Sequence, residues 1–174
     1  MVRRSSYEAA GTHRRLRMEV IDDMKLGKIV KEAGFASGAA RAGEAVSVHW
    51  HDGVRNIVRG TTKNFFATSG YSVSKTLLRM FGLLLMCVFP FCALPFARGW
   101  ALACDLVAIA LPVLAHAEAA HEFGASRLWG ISLPIGALIF VWMLGRSMLV
   151  TLWQGGIEWR GTFYPLQDLK SGIV

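Results

Sequence analysis

Hydrophobic positions divide this chain into a mixed front and an apolar back. Within residues 24–33, Leu26, Ile29, Val30 and Ala33 recur at i, i+3, i+4 and i+7. That spacing places four apolar side chains on one face of an α-helix. Asp22 or Asp23 suits the N-cap, where a short side-chain oxygen accepts an otherwise unpaired backbone N–H. Gly34 suits the C′ position, where the backbone turns left-handed. Residues 44–50, EAVSVHW, alternate instead, with Val46, Val48 and Trp50 on one face, and predict a half-buried strand. Val54, Ile57, Val58, Thr62, Phe65 and Phe66 mark a second amphipathic helix.

Three apolar stretches follow. Residues 80–97 form 18 positions without a charge, 100–115 are broken by Asp105, and 128–145 are again 18 uncharged positions that continue past Arg146 to Trp153. A helix of that length covers about 27 Å, close to the roughly 30 Å hydrocarbon core of a bilayer. The first and third stretches predict membrane spans, and the second a span or a re-entrant segment. Pro90, Pro95, Pro112 and Pro134 fall inside these runs, and membrane helices tolerate proline better than soluble ones. The expected organisation is a front domain over 1–75, a membrane region over 76–154 and an interfacial tail over 155–174. Apolar segments cover about 77–97, 100–115 and 128–153. Trp159, Arg160, Phe163 and Tyr164 suit such a tail.

Charge changes the picture. Residues 1–75 carry 13 Lys/Arg against 7 Asp/Glu, whereas 76–174 carry 6 against 5. The basic front favours an anionic partner, such as a phospholipid head group or a nucleotide. Its cations are scattered and no zinc-finger or RNA-binding signature occurs, so nucleic acid is not the expected partner. Lys63, Lys75 and Arg79 ahead of the first span place the front domain in the cytoplasm. Three full spans would then put the C-terminus outside, yet Arg146, Arg160 and Lys170 favour a cytoplasmic tail. The conflict resolves if one stretch is re-entrant or lies in the interface. Cys87, Cys92 and Cys104 all lie in apolar runs with no CxxC pair, which predicts reduced thiols rather than a disulfide framework.

Two groups carry candidate chemistry. Asp22-Asp23 is either a helix cap or a carboxylate held rigidly at a helix N-terminus, which suits a general base. Arg55, Arg59 and Lys63 stand at i, i+4 and i+8 as one cationic stripe. The stripe fits an interfacial helix on anionic lipid, or a cluster that neutralises a leaving diphosphate. His49 and His51 share a strand face, but no third ligand stands at zinc-site spacing.

Together, YEAAGTHRRLRMEVIDDMKLGKIVKEAGF, VHWHDGVRNIVRGTTKNFFA, the apolar runs and IEWRGTFYPLQDLK resemble the C-terminal part of a membrane-bound family 2 glycosyltransferase. The resemblance covers most of 7–75 and again 157–170. It implies a fold that is an α/β remnant of a GT-A domain followed by membrane helices, mainly α overall. It implies inverting transfer of a sugar from a nucleotide-sugar to an acceptor, with Asp23 as general base and Asp22 supporting it. The family's QxxRW motif holds the diphosphate. Here Arg59 matches its Arg, Asn56 stands for the Gln and Gly60 for the aromatic. Lys63 extends that cationic side, and His13 falls in the acceptor loop. Loss of the aromatic favours a lipid acceptor, as in ceramide, hopanoid or carotenoid glucosyltransferases.

The family also uses a divalent metal, Mg or Mn, bound by an Asp-x-Asp motif upstream of the acid pair. No Asp-x-Asp occurs in this sequence. The expectation is therefore a partial chain, whose donor-binding half lies upstream or on a separate subunit. The alternative is a non-enzymatic membrane protein whose basic cytoplasmic face binds anionic lipid or a partner subunit.

Overall fold

The structure, a computed structural model, describes residues 2–38, 52–159 and 161–172. It is mainly helical, as the periodicity predicts, with one two-stranded sheet among the described residues. Helices α1 (Arg4–Ala9), α2 (Asp22–Glu32) and α3 (Gly53–Thr68) form the front. Then come α4 (Val73–Cys87), α5 (Phe89–Ala93), α6 (Gly99–Glu122) and α7 (Leu133–Gln154). Strands β1 (Gly156–Trp159) and β2 (Thr162–Pro165) precede α8 (Leu166–Ser171). Tight 3-10 turns cover His13–Leu16, Leu94–Phe96 and Arg127–Ser132. The expected strand over 44–50, with His49, and also His51 and Arg160, lies outside the described residues.

The chain divides into two units: Met1–Ser72 together with Ser147–Val174, and Val73–Arg146. The first unit has two apolar cores. Ala10, Leu16, Ile29 and Val30 form one, with Leu26 packed against it. This is the stripe the α2 spacing predicts. The helix also ends as expected: Gly34 adopts φ +84°, its N–H reaches Lys31 O, and Phe35 N–H reaches Val30 O. That pair of bonds is a Schellman closure, which needs a left-handed residue at C′.

The second core combines Val20, Phe66, Ala67 and Tyr71 with Met148, Ile157 and Leu169. Residues from both ends of the chain therefore build one interior. The tail is not a separate surface segment: β1 and β2 pair antiparallel, Ile157 opposite Tyr164, and Ile157 and Leu169 are only 3% and 1% exposed. On α7, Ser147, Met148 and Thr151 are buried together, which is the i, i+1, i+4 side of a helix facing a core.

In the second unit the apolar stretches differ in continuity. Residues 80–97, expected to span, break after Cys87, and the pieces on either side are bent by 46°. Pro90 explains the break: it offers no N–H for the next helical bond, and its ring crowds the turn before it. The weaker stretch around 100–115 is instead a continuous 24-residue helix, α6, that runs through both Asp105 and Pro112. Among the described residues two helical segments, Gly99–Glu122 and Arg127–Gln154, are each long and apolar enough to cross a membrane, and the bent pair Val73–Cys87 and Phe89–Phe96 makes a third if it is one broken span. Leu106, Val107, Leu111 and Leu114 all point outward from α6. An apolar exterior of this kind marks a membrane protein. At the α6–α7 turn, Gly130 lies against α6 so closely that a Cβ there would come within 2.8 Å of Ala117 Cβ.

Candidate active site

The acid pair opens α2, although not as its cap. Ile21 occupies the N-cap position with no side-chain bond, and Asp22 and Asp23 fill the first helical turn. The helix begins earlier than the apolar stripe indicates, so both carboxylates lie inside it. Asp23 Oδ1 accepts the Met24 backbone N–H at 2.8 Å, which takes up one unpaired donor of the first turn. The helix end also favours negative charge at this place. Asp23 is exposed and Asp22 half-buried.

Asp23 lines a cleft of about 610 Å³. Arg3, Ser6 and Ser37 supply its other polar side chains, while Leu26, Val30 and Phe35 supply an apolar wall. A carboxylate, a cation and a hydroxyl thus share a cleft with aliphatic and aromatic surface. Such a lining accommodates a molecule with a polar head and an apolar body.

The other sequence-predicted residues stand elsewhere on the first unit. His13 is exposed at the start of a 3-10 turn, with its Nδ1 2.6 Å from the Tyr7 hydroxyl. The same hydroxyl accepts the His13 backbone N–H at 3.1 Å, so Tyr7 fixes both ring and backbone. Asn56 and Arg59 are exposed on α3, along with Arg55, while Val58 and Phe66 on the same helix are buried. The amphipathic reading of this helix therefore describes it correctly. Lys63 lies further along, with Nζ 4.9 Å from the centroid of the Trp159 ring. Of these predicted residues, Asp23 is the one in the cleft lining; Asp22, His13, Asn56, Arg59 and Lys63 lie outside it.

Among the described residues no group of three or more His, Cys, Asp or Glu could hold a metal ion.

The sequence reading misses a buried polar group beside the second core. Glu19, 6% exposed, pairs with Lys25 Nζ at 3.2 Å. Tyr71 is also buried and its ring meets Phe66 edge-on at 5.6 Å. Burial raises the pKa of its hydroxyl well above the ordinary tyrosine value, and the Glu19 charge raises it further. The signal was the i, i+6 pairing of an isolated acid with a base across the start of α2, which no simple periodicity exposes. No family model, curated protein or solved structure matches the chain.

Proposed function

We propose that this chain is the acceptor-side and membrane part of a glycosyltransferase that moves a sugar from a nucleotide-sugar onto a lipid. The observation that carries the reading is Asp23, fixed at the first turn of α2 and facing a cleft that is part polar and part apolar. The motif resemblance supplies the chemistry. Asp23 takes the proton from an acceptor hydroxyl, whose oxygen attacks the anomeric carbon. The nucleoside diphosphate departs from the opposite face, so configuration inverts. Asp22 supports the carboxylate, Arg59 and Lys63 offset the charge of the diphosphate, Asn56 donates a hydrogen bond to it, and His13 borders the acceptor path.

The test uses source membranes carrying the full protein. Labelled nucleotide-sugar is supplied and the lipid-extractable product is counted. Asp23→Asn removes the base with little change in shape, so transfer falls by on the order of 10²–10⁴-fold while membrane insertion persists. Full turnover by Asp23→Asn would show that the assigned base is wrong.

A second reading draws on the exposed Arg55 and Arg59 of α3. In it the first unit is a basic surface that binds anionic lipid or a partner subunit, without catalysis. It predicts salt-sensitive vesicle binding that is unchanged by Asp23→Asn. Binding that persists at high salt counts against it.

A further inference from the structure

Three apolar segments separate the two parts of the first unit, and the structure limits how many of them can cross a membrane. The chain leaves that unit at Ser72 and rejoins it at Ser147. Residues on both sides of the gap share one core, Phe66 and Tyr71 with Met148, Ile157 and Leu169. A single packed core lies on one side of a bilayer. The number of complete crossings between Ser72 and Ser147 is therefore even.

α6 has 24 residues, about 36 Å at 1.5 Å per residue, and of the 28 in Arg127–Gln154 the 20 that precede Ser147 cover about 30 Å. Each is long enough to cross alone. α4 has 15 residues, about 22 Å, and stops short of a bilayer core before the break at Val88. Its faces also differ. Lys75 and Arg79 share one face, while Leu77, Phe81 and Leu84 recur at i, i+4 and i+7 on the opposite one. That two-sided pattern belongs to a helix lying in an interface. We propose that α4 and α5 remain within the leaflet on the side of the first unit, contacting the acyl chains and head groups of that leaflet, and that α6 and α7 are the two crossings.

Charge placement agrees. With two crossings, Lys75, Arg79, Arg98, the basic first unit and the tail all share one side, as the positive-inside rule requires. Phe96, Arg98 and Trp100 are exposed together at the α5–α6 junction, a composition suited to the head-group region. Arg127 remains on the far side, where Glu118 binds it through two hydrogen bonds of 2.9 and 3.2 Å. With three crossings Arg98 would move to the far side and the two ends of the chain would be separated. The inference stands apart from the sugar-transfer reading.

The test is side-specific labelling in sealed vesicles. Cys87, Cys92 and Cys104 are replaced by Ala, and single cysteines are introduced as Ser5→Cys, Ala97→Cys, His121→Cys and Ser171→Cys. A membrane-impermeant maleimide is added to one side at a time. Positions 5, 97 and 171 label from the same side, and 121 from the other. Labelling of 97 together with 121, or of 5 and 171 from opposite sides, overturns the proposal. A protease site inserted between Arg98 and Gly99 of the otherwise natural chain gives a second readout, independent of cysteine replacement. Cleavage from the side of residue 5 supports the proposal, and cleavage from the opposite side overturns it.

Discussion

Ser147 Oγ accepts the backbone N–H of Phe66 at 2.9 Å, across 81 positions of sequence. The same hydroxyl donates to Thr62 O. Thr62 and Phe66 are the acceptor and donor of one helical i→i+4 step, so a single side chain from α7 engages both ends of that step on α3. Ser147 is fully buried, and its two bonds tie the back of the chain to the front.

Ser147→Ala removes both bonds without adding bulk. A buried donor left unsatisfied costs about 1–3 kcal/mol. The expected result is a first unit destabilised by that amount, with faster hydrogen exchange at the Phe66 amide. Unchanged exchange there would show that the hydroxyl holds nothing.

Tyr71 gives the fold an alkaline limit. Its folded pKa is raised, first by burial and then by Glu19, so the neutral hydroxyl is favoured in the folded state. The associated stability is fully present below the ordinary tyrosine pKa of about 10 and is lost as pH rises above it. Its hydroxyl has no hydrogen-bond partner among the described residues. Tyr71→Phe is therefore neutral or stabilising by up to about 1 kcal/mol near pH 8, and it flattens the loss above pH 10. Denaturation midpoints from pH 8 to 11 check both statements. A variant that keeps the full alkaline loss would assign it to another group.

Lys63 has two possible duties, and one substitution separates them. Its ammonium sits over Trp159. A contact of this kind contributes about 0.5–1 kcal/mol when partly exposed. Lys63→Gln lowers stability by that amount and alters Trp159 fluorescence. If Lys63 also offsets diphosphate charge, sugar transfer falls by more than ten-fold, beyond what that small loss of stability accounts for. A loss of stability alone confines Lys63 to packing.

Gly130 is set by close approach rather than by a turn. A side chain there would meet Ala117 and the Val113 carbonyl, each 2.8 Å from its Cβ. Small residues let membrane helices pack this tightly. Gly130→Leu overpacks the contact and costs about 1–3 kcal/mol, read as a lower melting temperature in detergent. An unchanged melting temperature would mean that the α6–α7 turn opens without penalty.

The elements legible in the sequence were those with strong local signals. Leu26, Ile29 and Val30 mark the buried face of α2, Gly34 marks its end, and Val58 and Phe66 mark the inner side of α3. Two features turn on the backbone, which side-chain composition does not carry. Counting uncharged residues favoured 80–97 over 100–115, but a backbone donor missing at Pro90 outweighs apolar content, whereas one acid at Asp105 does not break a helix. Side-chain preference assigns the cap to an aspartate, while the N-cap of α2 falls one position before Asp22, at Ile21. The rest was non-local. Ile157 and Leu169 look like surface-tail residues until Phe66, about 90–100 positions earlier in the chain, is brought beside them, and no local pattern announces that partner. In the cleft, the acid at Asp23 was legible from the sequence, while the contributions of Arg3 and Ser6 depend on how α1 is placed.

The shared core also sets a timetable for biosynthesis. Phe66 and Tyr71 are made early, but Met148, Ile157 and Leu169, which cover them, follow only after the whole membrane region. At ribosomal rates of roughly 5–20 residues per second, that interval lasts about 5–20 s. Throughout it the front of the chain carries an uncovered apolar face while its own membrane helices are being inserted. Maturation of the first unit must therefore come last, and a ribosome that stalls inside the apolar region leaves a substrate for chaperones rather than a half-folded unit.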